Sequence, residues 1–107
     1  IQTIKQLTRW ITMKAYIIGR GNVTNEKKAE AYKPLAASAN KKYGGRYLAR
    51  GGKFINKEGA EYERNVIIEF PSFEQAKAAY ESDEYRNALN VLGDGMDRLL
   101  VIVEGME

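Results

Sequence analysis

Four short runs of residues with the composition of strands recur along the chain. They cover residues 14–18, 46–50, 65–70 and 99–103, and glycine, proline or polar residues follow most of them, as is usual where strands end. The last run, Leu99-Leu100-Val101-Ile102-Val103, is apolar throughout, which is typical of a strand inside a sheet. The pattern predicts a four-stranded sheet with this last run as a central strand.

A first helix is predicted after Gly19-Arg20-Gly21, which should end the first strand. Thr24 or Asn25 can cap the start of this helix, and Gly44-Gly45 can end it. Pro34 should kink the helix or split off its first turns, because proline lacks a backbone N–H. The apolar positions recur at intervals of three and four and predict one buried face: Ala29, Tyr32, Ala36, Ala39 and Tyr43.

Further helical sequence follows the third strand. Pro71 stops that strand, and Ser72 and Gln75 have the spacing of a capping box, in which the two side chains satisfy free amides reciprocally. Ser82 is a second capping residue and opens a segment that continues to about Leu92. The order of elements is therefore β-α-β-β-α-β, with the second helix in two pieces.

This order predicts an α+β protein of the ferredoxin-like type, with both helices on one face of an antiparallel sheet. The other face of such a sheet is left open, and apolar side chains there need a cover that a single copy does not supply. We therefore expect a second copy of the chain to cover it, which gives a homodimeric α+β barrel.

The chain has 107 residues, enough for one domain. Met13 stands directly before the first predicted strand, so we expect one domain at 13–107 and an N-terminal extension at 1–12, either upstream sequence or an addition from cloning. No apolar run approaches the roughly 18 residues of a membrane helix, so no membrane partner is predicted.

The sequence contains no cysteine and no histidine. It therefore lacks thiolate and imidazole ligands for zinc or haem and the usual partners of a serine or cysteine nucleophile, and we predict no metal and no cofactor. The absence of cysteine suits a reducing compartment, so we expect a cytoplasmic protein. The net charge is +3, of which Lys5 and Arg9 supply two, and elsewhere basic and acidic residues alternate, so nucleic acid is not predicted as a partner.

Several ordered motifs resemble a known family. They are Lys42-Tyr43-Gly44-Gly45-Arg46-Tyr47-Leu48-Ala49-Arg50-Gly51-Gly52, Ile68-Glu69-Phe70-Pro71-Ser72-Phe73, Ser82-Asp83-Glu84-Tyr85 and Leu100-Val101-Ile102-Val103-Glu104-Gly105. Together they are similar to a family of small bacterial proteins of unknown function within the dimeric α+β barrels. The resemblance implies the fold and the dimer. Distant relatives by fold include cofactor-free monooxygenases, lactone isomerases and haem enzymes, and the missing histidine disfavours the haem branch.

Glu69 is the main candidate for chemistry. Along 65–70, Val66, Ile68 and Phe70 share one face, which should contact the helices, so Glu69 should point to the opposite face and into the barrel. A carboxylate there needs a partner, because burial penalises its charge. Arg50 on the neighbouring strand or Tyr16 on the first strand could be that partner.

Two interpretations of these residues remain open. In the functional one, Glu69 is a general acid or base, Arg50 holds an anionic substrate, and Tyr16, Tyr80 or Tyr85 orients it. The protein would then be a cofactor-free isomerase, lyase or monooxygenase-like enzyme acting on a small acidic or aromatic metabolite. In the structural one, Glu69 and Arg50 form an ion pair that only stabilises the hairpin or the dimer, and the protein is a non-catalytic binding or interaction protein.

Other chemistry-bearing residues receive plainer interpretations. Tyr32, Tyr43 and Tyr80 lie on helix faces that must pack, so we expect them in the core. Arg98 stands beside Asp97 and is expected to form a surface pair with it. The run that begins at Gly19 lies where a phosphate-binding loop would, between strand and helix, but it is only a weak match to such a motif.

Overall fold

A computed structural model describes residues 13–106 of the chain. In chain order the elements are β1 (Ala15–Val23), α1 (Glu26–Lys42), β2 (Arg46–Arg50), β3 (Arg64–Phe70), α2 (Phe73–Glu81), α3 (Asp83–Leu92) and β4 (Met96–Glu104). The predicted extension at 1–12 lies outside the described residues.

The four strands form one antiparallel sheet in the order β2-β3-β1-β4. With the helices as connections, this is the predicted ferredoxin-like α+β fold. The prediction that the last strand is central is wrong, because β4 is an edge strand of the sheet that the described residues form, with β1 as its neighbour. Its apolar composition instead reflects its two faces, one against the helices and one on the open side of the sheet.

The first strand is longer than predicted. It does not end at Gly19-Arg20-Gly21 but continues to Val23, and Gly21 pairs with Arg64 on one side and Arg98 on the other. The glycine-rich run therefore lies inside a central strand and not in a loop between strand and helix, which agrees with its weak match to a phosphate-binding motif.

The helix termini follow the capping residues in the sequence. Asn25 caps α1, and its side-chain oxygen accepts a hydrogen bond from the Lys28 amide at 3.1 Å. Gly44, at φ +88°, follows the end of this helix in the left-handed region where glycine is favoured. Of the two alternatives predicted for Pro34, a kink or a split, the split is wrong, since α1 runs through Pro34 as one element.

Ser72 caps α2 as predicted, because its hydroxyl accepts a hydrogen bond from the Gln75 amide at 3.1 Å. In the reciprocal direction, the Gln75 side-chain oxygen accepts from the Ser72 hydroxyl at 3.4 Å and not from the Ser72 amide. The Gln75 side-chain amide donates to the Tyr43 carbonyl at 3.1 Å, and this bond joins the start of α2 to the end of α1. Ser82 caps α3 as predicted.

The core lies between the sheet and the helices. Ile68 and Phe70 of β3 are buried there, which confirms the predicted face of this strand. Most helix residues that contact this core are alanines, whose small side chains let the helices approach closely. The buried helix residues are Ala29, Tyr32, Ala36, Ala39, Asn40, Ala76, Ala79, Tyr85, Ala88 and Leu92.

The opposite face of the sheet is open and largely apolar. Leu99, Val101 and Val103 of β4 are 56%, 53% and 43% exposed, and Ile67 of β3 is 36% exposed. Arg20 holds the loop at 51–63 against one end of this face through a hydrogen bond to Asn56 at 3.2 Å. Within residues 13–106, no helix has the length and apolarity needed to cross a bilayer.

Candidate functional site

A cavity of about 50 Å³ lies between the helix side of the sheet and helices α1 and α3. This is room for roughly four water molecules or one small chemical group. Five of the described residues that line it are basic and none is acidic: Arg20, Lys33, Arg50, Arg64 and Arg98. The other lining residues are mostly apolar or aromatic: Ile17, Gly19, Gly21, Tyr32, Ala36, Asn40, Tyr47, Val66, Ile68, Tyr85, Met96 and Leu100.

Three of these arginines come from three different strands. Arg50 is on β2, Arg64 on β3 and Arg98 on β4, and among residues 13–106 no carboxylate lies within 4.0 Å of any of them. The other two cations are already engaged, since Lys33 pairs with Glu30 at 2.5 Å and Arg20 donates to Asn65 at 2.8 Å. The net positive charge of the cavity therefore comes chiefly from Arg50, Arg64 and Arg98.

Gly21 sets the spacing of two of these arginines. It lies on β1 between Arg64 and Arg98, so the three residues form one row across the sheet. A Cβ atom at position 21 would be only 2.7 Å from the Arg98 Cβ. Only glycine at position 21 lets the Arg98 side chain lie in this row. The space over Gly21, which has no side chain, forms part of the cavity.

Arg98 donates to two tyrosine hydroxyls. One of its terminal nitrogens is 2.9 Å from the Tyr32 oxygen and the other is 3.3 Å from the Tyr85 oxygen, and the two oxygens are 2.6 Å apart. Both tyrosines are buried. Burial, and then the neighbouring Tyr32, raise the pKa of Tyr85 far above its ordinary value, and Arg98 only partly counters this rise. The Tyr85 hydroxyl therefore keeps its proton at neutral pH.

The expected surface pair of Arg98 and Asp97 is wrong. Successive residues of a strand point to opposite faces, so Asp97 is exposed on one side while the Arg98 side chain enters the cavity on the other. The core position predicted for Tyr32 is confirmed, since it is buried in the cluster with Tyr85, and Tyr80 is partly buried and packs against that cluster. Tyr43 is partly buried and packs against the neighbouring cluster.

Glu69 lies on the open face of the sheet, as predicted, with 14% of its side chain exposed. Its carboxylate is 3.1 Å from Arg46, 3.7 Å from Lys14 and 3.2 Å from the Tyr16 hydroxyl. Burial works to raise the pKa of Glu69, but the hydrogen bond from Arg46, the charge of Lys14 and the Tyr16 hydroxyl together hold that pKa below its ordinary value. Glu69 is therefore ionised at neutral pH.

The predicted pairing of Glu69 with Arg50 is wrong, whereas the contact with Tyr16 is confirmed. Arg50 lies on the helix side of the sheet, where its guanidinium is 4.4 Å from the centre of the Tyr47 ring. A β-bulge causes this placement. Tyr47 pairs with Ile68 but Ala49 pairs with Ile67, so the strand has one extra residue between them and Arg50 changes face.

The candidate residues thus divide into two groups. Arg50 and Tyr85 line the cavity, whereas Glu69 and Tyr16 contact each other on the open face. Tyr80 contacts the Tyr85 ring, at 5.1 Å between ring centres, without lining the cavity. The sequence interpretation missed Arg64 and Arg98 as cavity residues. The alternation of Arg98 with Leu100 and Ile102 was the available signal, because it places all three on the helix side.

Comparison with known proteins supports this fold. Residues 14–106 match the model of a family described as "Domain of unknown function (DUF1330)". A structure of a protein of unknown function from Rhodopseudomonas palustris has a TM-score of 0.67 and 14% identity, over 100% of this chain and 96% of that one. No curated protein matches the chain.

Two other solved structures share the fold. SnoaB from Streptomyces nogalater, described as a cofactor-independent oxygenase, has a TM-score of 0.62 and 11% identity, over 89% of this chain and 95% of that one. A dimeric ferredoxin-like protein of unknown function from Thermobifida fusca has a TM-score of 0.53 and 14% identity, over 87% and 92% of the two chains. At these identities the likeness concerns the fold alone.

Within residues 13–106, no group of three or more acidic side chains is arranged to hold a metal ion.

Proposed function

This chain belongs to the DUF1330 family of domains of unknown function, and we propose that it binds a small acidic metabolite in the cavity between the sheet and helices α1 and α3 and acts on it without a cofactor. One observation carries the proposal. Arg50, Arg64 and Arg98 converge on this cavity from three strands, and among the residues described no carboxylate pairs with them.

Placing three arginines around one cavity costs electrostatic free energy. Cations around one cavity that no carboxylate neutralises repel one another, and the partial burial of Arg64 and Arg98 weakens the screening of that repulsion by water. A bound anion removes the cost and gains charge-assisted hydrogen bonds, which guanidinium groups make to carboxylates in a bidentate way. The rings of Tyr32 and Tyr47 in the cavity wall favour a planar ligand, such as an aromatic acid, whose ring extends out through the mouth of the cavity.

The catalytic part of the proposal rests on residue chemistry and on the fold. The sequence has no histidine or cysteine, so a reaction here would use arginine and tyrosine groups. SnoaB, with the same fold, is described as a cofactor-independent oxygenase, and this supports cofactor-free chemistry by analogy of architecture.

A second candidate function is non-catalytic binding. The observation in its favour is that no carboxylate among residues 13–106 lines the cavity and that Glu69, the predicted acid or base, lies on the opposite face of the sheet. In this case Glu69, Arg46 and Tyr16 stabilise the sheet face and the protein only sequesters its ligand. Recovery of the ligand after incubation distinguishes the two functions, because an enzyme returns it chemically altered.

The proposal includes a homodimer formed through the open sheet face. The exposed row of Leu99, Val101 and Val103 presents apolar side chains to solvent, and burial of apolar surface is the main driving force of association. The structure from Thermobifida fusca is described as dimeric, which supports a second copy as the partner. The cavity is on the other side of the sheet, so dimerisation leaves it accessible.

The experiment for the cavity compares benzoate with benzyl alcohol, a neutral molecule of similar shape. Nuclear magnetic resonance titration of the full chain should show benzoate shifting the amide signals of Gly21 and Arg98, with benzyl alcohol binding at least tenfold more weakly. Arg98→Met should weaken benzoate binding by about tenfold or more, because one charge-assisted hydrogen bond contributes about 1.5–3 kcal/mol.

Arg86→Met is the matched control, since Arg86 is exposed on α3 and does not line the cavity. It should leave benzoate binding unchanged. Equal binding of benzoate and benzyl alcohol, or equal losses in the two arginine variants, would contradict the proposed site.

A further inference from the structure

The arrangement of Tyr32, Tyr85 and Arg98 goes beyond simple attraction of an anion. We propose that this cluster binds the hydroxyl oxygen of a phenolic or enolic ligand in its deprotonated form, so that the ligand is held as an oxyanion. This inference rests on the proposed function and names its ligand class: a small molecule with an acidic O–H group attached to an aromatic ring or a double bond.

The two tyrosine hydroxyls have more protons than the cluster has acceptors for. Each hydroxyl has one proton, and the 2.6 Å contact between the two oxygens uses one of the two. Arg98 donates to both oxygens and accepts nothing. One hydroxyl proton is therefore left over, and within residues 13–106 neither oxygen has a further hydrogen-bond partner.

The leftover proton is at a cavity wall, because both tyrosines line the cavity. The tyrosines are buried, so their hydroxyls are shielded from bulk water. Because its pKa is strongly raised, the Tyr85 hydroxyl stays protonated and donates a hydrogen bond; it does not act as a base. The cluster is thus a hydrogen-bond donor next to a guanidinium, and the group it fits is a negatively charged oxygen.

The surrounding charges act in the same direction. From β3 and β2 the cavity receives Arg64 and Arg50. Arg20 of β1 borders the cavity, but its side chain lies on the open face with its cross-strand partners Asn65 and Leu99, and its guanidinium donates to Asn65. From α1 the cavity receives Lys33, which pairs with Glu30, and the Glu30 carboxylate also interacts electrostatically with Arg64 at longer range. The excess of positive charge favours the ionised form of any acidic ligand group.

The chemical change in this step is a proton transfer only. The ligand O–H bond breaks, its electron pair stays on the oxygen, and the proton passes to solvent water. No oxidant or reductant is needed. The oxyanion then accepts hydrogen bonds from Arg98 and from whichever tyrosine has the leftover proton.

The test uses 4-nitrophenol, whose phenolate form has its own visible absorption band. A pH titration of the probe with saturating full-length protein should show its pKa lowered by about one unit or more relative to free probe, which corresponds to at least tenfold tighter binding of the phenolate. Arg98→Met should abolish most of the shift. The double variant Tyr32→Phe/Tyr85→Phe should also reduce it, whereas each single phenylalanine variant keeps one free hydroxyl and should lose less.

Tyr80→Phe is the matched control, because Tyr80 contacts the Tyr85 ring but does not line the cavity. It should leave the shift unchanged. The measurement on the unaltered protein decides the inference even if a variant fails to fold. A bound probe with an unchanged or raised pKa, or a probe that does not bind while benzoate does, overturns the oxyanion inference and leaves the proposed function standing. Failure of benzoate to bind instead overturns the proposed function.

Discussion

Arg50 and Glu69 lie on opposite faces of the sheet, although they are on neighbouring strands and carry opposite charges. Arg50 pairs across the strands with Val66 on the helix side, whereas Glu69 pairs with Arg46 on the open side. The sheet thus separates the basic cavity from the ion pairs that Glu69 forms with Arg46 and Lys14. The two groups do not touch, so a mutation in one leaves the contacts of the other in place.

Glu69→Gln should make the protein less sensitive to acid. Because the folded-state pKa of Glu69 lies below its ordinary value, its ionic contacts stabilise the fold above the unfolded-state pKa, and this stabilisation is lost as the pH falls through the folded-state pKa. Urea unfolding at neutral pH and at about pH 3 should show a smaller loss of stability in the variant than in the parent. Glu58→Gln, at an exposed loop position, is the control and should retain the parent's acid sensitivity. An unchanged acid response in Glu69→Gln would contradict the ion cluster.

Tyr85→Phe should remove part of the loss of stability at alkaline pH. The folded-state pKa of Tyr85 is raised above its ordinary value of 10.0, so its contribution to stability is complete below that value and is lost as the pH rises through the raised pKa. Unfolding monitored by circular dichroism along an alkaline titration should show a shallower decline in the variant. The control, Tyr80→Phe, removes a neighbouring hydroxyl that makes none of the bonds to Arg98, and it should behave like the parent.

Gly21→Ala should destabilise the fold by about 1–3 kcal/mol, the usual cost of forcing an extra methyl group into a packed site. The new Cβ would meet the Arg98 Cβ at 2.7 Å and the Asp97 carbonyl at 3.2 Å, so β1 and β4 must shift apart. Urea unfolding measures the change. Gly52→Ala is the control, since a Cβ there meets nothing within 4 Å, and its stability should differ from the parent by less than about 0.5 kcal/mol.

Val101→Lys should weaken the proposed dimer. Val101 is 53% exposed in the middle of the open face, and a lysine placed there in both copies would bury two unpaired charges in the interface. Sedimentation should show the parent at twice the monomer mass at micromolar concentration and the variant mainly as monomer. Val91→Lys, on α3 with 38% exposure, is the control and should stay dimeric. A parent that sediments as a folded monomer would contradict the dimer.

Much of the fold was predictable because its signals are local. The caps at Asn25, Ser72 and Ser82 and the face of β3 depend on residues close together in sequence. The end of β1 was misjudged for a physical reason. Glycine usually interrupts strands, but Gly21 continues this one because the neighbouring Arg98 leaves no room for a side chain.

The site was less predictable than the fold. Of the predicted site residues Glu69, Arg50 and Tyr85, Arg50 and Tyr85 line the cavity, whereas Glu69 does not. In a regular strand, Arg50 would lie on the same face as Arg46, because side chains four residues apart point the same way. The bulge between Tyr47 and Ala49 reverses that parity, and the sequence has no strong local signal for it.

The sequence by itself determined the order of the elements, the helix caps and which face of β3 contacts the helices, since each follows from periodicity or from hydrogen bonds between near neighbours. Only the tertiary structure decided that Arg64, Gly21 and Arg98 form one row and that Tyr32, Tyr85 and Arg98 meet. These residues are far apart in the chain, and their contact depends on strand register and on the packing of α1 and α3 over the sheet.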